Sequence, residues 1–348
     1  MQSSFQTHTR FLAKTLIAPV LLSATLLGCG PGDTDVARDE YGDPIAADAP
    51  ADAPYVAVTQ IVEHPALDAV RDGLQDKLKE EGYEADSTLK WEWESAQGQP
   101  ANAAQIAQKF VGDSPDLIVA IATPSAQAVV GSTDTIPVVF SAVTDPVSAE
   151  LVPSLEASGG MVTGVSDLSP IDEHLALIAD IDPDAKSVGV IYNAGESNSV
   201  SLVELLNTEA EAQGFTITEA TVSSSADVAT AAQSLVGKVD AIYIPTDNTV
   251  VSALESVIQV GNENQLPVFA GDTDSVERGA IATASFDYYE VGRQTGDIVA
   301  RILGGEAPGD IPVELAKTVD LAVNLAAAEA MGVTIPDVIK DSADQVFE

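Results

Sequence analysis

The sequence predicts an α/β protein: two doubly wound, mostly parallel-sheet lobes joined by a three-crossing hinge. Three observations carry this expectation. Short apolar runs alternate with helical stretches along most of the chain, the pattern of parallel strands covered by helices on both faces. One unit occurs twice, at residues 116–145 (DLIVAIATPSAQAVVGSTDTIPVVFSAVTD) and 240–274 (DAIYIPTDNTVVSALESVIQVGNENQLPVFAGDTD). Each copy reads as strand, polar loop, helix, strand, polar loop. Val56 to Tyr83 and Val188 to Phe215 also span the same number of residues from one strand start to the next. A chain of 348 residues exceeds one ordinary domain, so a duplicated lobe is the natural reading.

Taken in order, Arg10 and Lys14 precede a short apolar run at residues 16–27, the layout of an export signal. Residues 1–28 are expected to be that signal. The run ends in Leu26-Leu27-Gly28-Cys29, which resembles a bacterial lipobox, although Leu27 is bulkier than the usual Ala or Ser. The resemblance implies a lipid on Cys29. Cys29 is the only cysteine, so no intrachain disulfide can form and no cysteine zinc cluster exists. Residues 29–54 are rich in Asp, Ala, Pro and Gly, and read as a flexible acidic tether.

The first lobe is expected at 55–165 plus 287–318, the second at 166–286 plus 319–348. A strand from Tyr55 leads to a helix over 66–81 with Leu67, Val70, Leu74 and Leu78 on one face, stopped by Gly82. A strand at 88–93 and a helix at 100–111 precede the first copy of the repeated unit. Its helix opens at Thr123-Pro124, a capping residue followed by proline at the first helical position. A short helix is expected after Asp145-Pro146, then a strand at 161–165 and a crossover at 166–170. The second lobe follows as helix 171–181, strand 188–192, helix 200–213, strand 215–220, helix 226–236 and the second copy. A strand at 280–285, a helix running to about Leu303, and a strand at 321–324 supply two more crossings.

Charge excludes one class of partner. With 15 Lys and Arg against 54 Asp and Glu, the net charge is −39, and phosphate binding needs clustered basic residues, so nucleic acid is not a partner. The acids are spread along the whole chain, which favours a surface adapted to high salt over a field that attracts a cationic ligand. No nucleophile elbow, P-loop or GxGxxG lies at a strand–helix junction. His8, His64 and His174 make no metal site, and no cofactor is expected. His64, at a strand end, either touches a ligand or is a loop histidine, while His174, on a polar helix start, is expected at the surface. Chance carboxylate pairs are common among 54 acids, so an enzyme is not expected.

Binding explains the strand-end loops better. Ligands of open parallel sheets sit outside the carboxyl ends of the strands, where helix N-termini offer free N–H groups. Ser125 and Thr144 are candidates for a ligand carboxylate, and Asp272 or Asp274 for an ammonium group. Asn193, Glu196, Asn198, Thr246, Asp247 and Asn248 are further second-lobe candidates by their placement. Thr and Asp at these points could equally cap helices. Tyr192, Phe140 and Phe286 could pack an apolar ligand part or belong to the core.

Several of these loops together carry a family likeness. Gln60-Ile61-Val62-Glu63-His64-Pro65-Ala66-Leu67-Asp68, Ile121-Ala122-Thr123-Pro124, Val143-Thr144-Asp145-Pro146, Thr163-Gly164-Val165-Ser166-Asp167, Pro245-Thr246-Asp247-Asn248 and Gly271-Asp272-Thr273-Asp274 resemble the bacterial ABC-transporter substrate-binding lipoproteins of the tryptophan/tyrosine-uptake type. The resemblance covers residues 55–336. It implies a type I periplasmic-binding-protein fold whose cleft takes tryptophan, phenylalanine or tyrosine for delivery to a permease and ATPase. It also places Gln60, Glu63, His64, Thr123 and Asp145 among the candidate contacts, and a lipid anchor at Cys29 would hold the exported protein at the membrane. A sensory module of the same fold and a hydrolase are the rival readings.

Overall fold

The computed structural model describes residues 49–317 and 319–348. The expectations for the signal segment, for Cys29 and for the tether as far as residue 48 lie outside the described residues. Strand β1 (Tyr55–Gln60) is buried at every position, as a parallel strand covered on both faces must be. Helix α1 (Pro65–Glu80) carries proline at its start and buries Leu67, Val70, Leu74 and Leu78. Strand β2 (Lys90–Ser95), helix α2 (Pro100–Asp113), strand β3 (Leu117–Ile121), helix α3 (Thr123–Val130) and strands β4 (Val138–Val143) and β5 (Val162–Ser166) continue the alternation. With the short strand β11 (Glu314–Leu315), they form an all-parallel six-stranded sheet in the order β11-β5-β4-β3-β1-β2.

The second lobe contains α4 (Ile171–Ile181), β6 (Ser187–Asn193), α5 (Ser197–Gln213), β7 (Thr216–Val222), α6 (Val228–Leu235), β8 (Ala241–Ile244), α7 (Asn248–Val251), α8 (Leu254–Asn264), β9 (Val268–Ala270), α9 (Thr273–Glu277) and β10 (Ala282–Phe286). Its parallel sheet runs β7-β6-β8-β9. The Ile281 N–H donates to Val268 O at 2.7 Å and brings β10 alongside β9. Beyond it, β12 (Val319–Asn324) pairs antiparallel with β10, and β13 (Gln345–Phe347) pairs parallel with β12. Helices α11 (Leu325–Ala330) and α12 (Asp337–Ser342) complete this lobe. The chain passes between the two sheets after β5, after β10 and after β11, which is the three-crossing hinge. After the second pass, helix α10 (Tyr288–Leu303) packs on the first sheet and against α1. A Cβ added at Gly292 would lie 2.1 Å from Val70 O, and one at Gly73 the same distance from Tyr289 O. These glycines let the two helix backbones touch and fix Tyr288 at the base of the cleft.

Local differences from the sequence-based expectations have physical causes. The single helix expected in the second repeated unit is two, α7 and α8, because Asp247 caps a separate first turn. No helix follows Asp145-Pro146. The Asp145 carboxylate accepts from Val147 N, Ser148 N and Ser148 Oγ and holds a turn there. His174 is not at the surface: it is 3% exposed, bonded to Tyr243 Oη and to Ala284 O at 2.8 Å each. Phe140, Tyr192 and Phe286 all pack in the lobe cores. Among the described residues, no helix is long and apolar enough to cross a membrane.

Candidate ligand-binding site

The carboxyl ends of the two sheets face one another across a cavity. From the first lobe, moving away from the hinge, the lining residues are Asp167 after β5, Ala142 on β4 and Thr144 just after it, Ala122 and Thr123 after β3, and His64, Ala66 and Leu67 after β1. From the second come Asp272 after β9, Thr246, Asn248 and Val251 after β8, and Asn198 after β6. Tyr288, at the second crossing, closes the hinge end. The wall is therefore built by the strand order of both sheets, as expected for a ligand site in open parallel sheets. Two of its residues hold backbone conformations unusual for alanine. Ala122 sits at φ 73°, ψ 153°, a region nearly reserved for glycine, and Ala142 at φ 52° in an irregular stretch of β4. Such strain costs on the order of 1–3 kcal/mol and tends to persist at binding sites.

The carboxylates divide into those that hold the fold and one that does not. Asp272 lines the cavity, but both its oxygens are taken by Ser275, from the backbone N–H and the hydroxyl at 2.7 Å each, which caps α9. Asp247 is fully buried behind the wall, accepting from Val250 N, Asn193 N and Ser199 Oγ. Burial and the adjacent Glu196 push it well above the usual carboxylate range. Glu196 in turn accepts from Asn248 Nδ2 at 2.6 Å and Thr249 Oγ1 at 2.7 Å, and so fixes the first turn of α7. Asp274 does not line the cavity; burial, then the charges of Asp272, Glu277 and Asp287, lift it to about 7.

Asp167 is different. Tyr288 Oη donates to its Oδ2 at 2.9 Å, while its Oδ1 is buried without a partner. Burial raises it to about 6. Thr123 Oγ1, Thr246 Oγ1, Asn198 Oδ1 and His64 Nδ1 are likewise buried without partners. Burial, then the charge of Arg278, lowers His64 to about 4, so its ring is neutral. Among the described residues, no Lys or Arg lines the cavity.

The structure thus brings together His64, Thr123, Thr144, Asn198, Thr246, Asn248 and Asp272 from the sequence candidates. It sets the others apart. Gln60 donates to Val62 O and Asp68 inside the first lobe. Glu63 is exposed, and Asp145 holds its own turn. Ser125 is fully buried behind the wall. Asn193 and Glu196 line a wider outer groove between the lobes instead. Sequence reasoning missed Asp167 and Tyr288. Asp167 carried a signal: it is an acid at a strand end with no helix starting within the next three residues to use it as a cap.

Comparisons with known proteins agree with the two-lobed fold. The family profile described as ABC transporter substrate binding protein matches residues 55–347. A protein of Clostridioides difficile (strain R20291) named tyrosine-binding protein is 39% identical over 331 residues, covering 95% of this chain and 93% of that protein. The crystal structure of a conserved domain protein from Vibrio cholerae superposes with a TM-score of 0.83 at 53% identity, covering 84% of this chain and 99% of the other. An ABC domain from Streptococcus pneumonia in complex with L-Trp superposes at 0.82 and 35% identity, over 85% of this chain and all of the other. With a profile that spans both lobes and relatives this similar over nearly their full length, the chain belongs to the ABC transporter substrate-binding protein family.

Proposed function

We propose that this chain is the extracytoplasmic binding subunit of an ABC importer and that its ligand is an aromatic α-amino acid, delivered to a permease driven by an ATPase. The observation that carries the reading is Asp167, a buried carboxylate with one oxygen held by Tyr288 and the other unpartnered in a cavity that no described Lys or Arg lines. An α-ammonium group supplies what that oxygen lacks, by a charge-assisted hydrogen bond. The ammonium role thereby moves to Asp167 from Asp272 and Asp274. The hydroxyls of Thr123 and Thr144, on the neighbouring strand ends, serve the α-carboxylate. Ala66, Leu67, Ala122, Ala142 and Val251 give the cavity its apolar walls, which suit a flat ring. The names of the two relatives, a tyrosine-binding protein and a domain in complex with L-Trp, support the ligand class.

Closure of the lobes over the ligand removes both charged ends from water, which strengthens each bond made to them. On this reading Cys29 carries a lipid that tethers the exported chain to the membrane. Calorimetric titration with the twenty amino acids tests the ligand. Binding confined to aromatic members is the expected result, and no binding by any of them would refute it. Incorporation of labelled fatty acid, lost in Cys29→Ser, tests the anchor.

A further inference from the structure

Resting on the aromatic amino-acid reading, we propose that Asn198 sets specificity within that class. Its side-chain oxygen accepts a hydrogen bond from the tip of the ligand, so the site favours rings bearing a donor, an indole N–H or a phenol O–H, over phenylalanine.

The orientation of the Asn198 amide is fixed by its partners. Nδ2 donates to Thr246 O at 3.1 Å and lies 3.3 Å from Ser199 Oγ. A backbone carbonyl can only accept, so the nitrogen must face Thr246, and the remaining Oδ1 is an acceptor. That oxygen is buried without a partner on a side chain that is 4% exposed and lines the cavity.

Its place in the fold puts it at the far end from Asp167. In the second lobe, β6, which leads to Asn198, is two strands from β9 and further still from β10 and the hinge. In the first lobe, three strand spacings separate β5, which leads to Asp167, from β1, which leads to His64. At ~4.8 Å per spacing, the cavity extends roughly 10–14 Å from its acidic end to its Asn198 end. That reach fits an amino acid carrying an aromatic ring, with Ala122 after β3 and Val251 after β8 among the apolar lining residues between. Thr246 Oγ1 and His64 Nδ1, also at this end, lack partners as well. Asn248 Nδ2 donates to Glu196, and the His64 ring is uncharged. A ring with a donor pairs Asn198 Oδ1, whereas a ring without one buries it unpaired. Sites built to bond a ligand hydroxyl or N–H discriminate strongly against analogues lacking it.

The test is calorimetric titration of the purified full chain with two ligand pairs. Tyrosine is compared with phenylalanine, and tryptophan with 3-benzothienylalanine, in which sulfur replaces the indole N–H. The expected result is that the donor-bearing member of at least one pair binds about tenfold tighter or more, and that Asn198→Ala brings this ratio close to one. Members of both pairs binding within about twofold in the unsubstituted chain would overturn the inference, whether or not the variant folds. So would an Asn198→Ala protein that weakens all four ligands by the same factor, which is the mark of a purely structural role. Failure of all four to bind would instead bring down the aromatic amino-acid reading, and the inference with it.

Discussion

Replacing Asp167 by asparagine should move stability and ligand affinity in opposite directions. The carboxyl group is 3% exposed, and burial raises its pKa from the ordinary 3.8 to about 6. A lift of roughly two units corresponds to about 3 kcal/mol against the charged form at neutral pH. The sign follows from proton counting. The folded pKa lies above the unfolded one, so the folded chain holds an extra proton between about pH 4 and 6; the penalty is full above that window and absent below it. Asparagine keeps an acceptor for Tyr288 Oη and carries no charge. At pH 7 the variant should therefore unfold at a higher temperature, by up to about 3 kcal/mol in stability, and by less where water reaches the carboxylate in the open cleft.

Ligand affinity should fall instead. Removing one partner of a buried, hydrogen-bonded charge pair costs about 2–5 kcal/mol, or roughly thirtyfold to several thousandfold in Kd. Because the ammonium group competes with a proton for the same oxygen, binding by the unsubstituted chain should be constant above about pH 6. Below that it should weaken by about tenfold per pH unit, a titration that Asp167→Asn removes. Calorimetric titration from pH 5 to 8, with thermal unfolding of both proteins, reads all three quantities. Unchanged affinity in the variant would refute the ammonium role. Affinity and stability falling together would show that Asp167 only holds the hinge.

Three further outcomes test the architecture. His174 is held down to about 4 by burial, so the folded chain binds fewer protons than the unfolded one; the benefit is complete above pH 6.5 and lost toward pH 4. The stability gap between the unsubstituted chain and His174→Gln in denaturant should therefore shrink by about 3 kcal/mol across that window, and a gap independent of pH would refute the account. Gly292→Ala drives a Cβ into Val70 O and should cost about 3 kcal/mol or more, whereas Gly112→Ala, with nothing within 4 Å in α2, should stabilise by about 0.5–1 kcal/mol; similar melting shifts for both would contradict the close helix contact. A net charge of −39 should make stability rise from dilute buffer to molar salt, and a melting temperature independent of salt would count against a salt-adapted surface.

The fold was legible because its signals are local and repeated. Apolar runs, helix starts such as Thr123-Pro124, and the duplicated unit are each readable within a few dozen residues. His174 was also readable in principle. It shares a helical face with Ile171, Leu175 and Ile178, and that spacing says buried more firmly than its polar neighbours say exposed. The site was legible only as a region, because strand-end placement brings capping acids and ligand acids to the same rim. What separates them is hydrogen-bond saturation. Asp272 has Ser275 three residues on and spends both oxygens there, while Asp247 opens α7 with one oxygen on Val250 N and the other on Asn193 N and Ser199 Oγ. Asp167 has Leu168-Ser169-Pro170 after it, and Tyr288, which donates to its Oδ2, lies 121 residues away. No local pattern can report that pairing. The local pattern does report the lack of a nearby cap, and in a strand-end carboxylate that lack is what leaves an oxygen free for ligand.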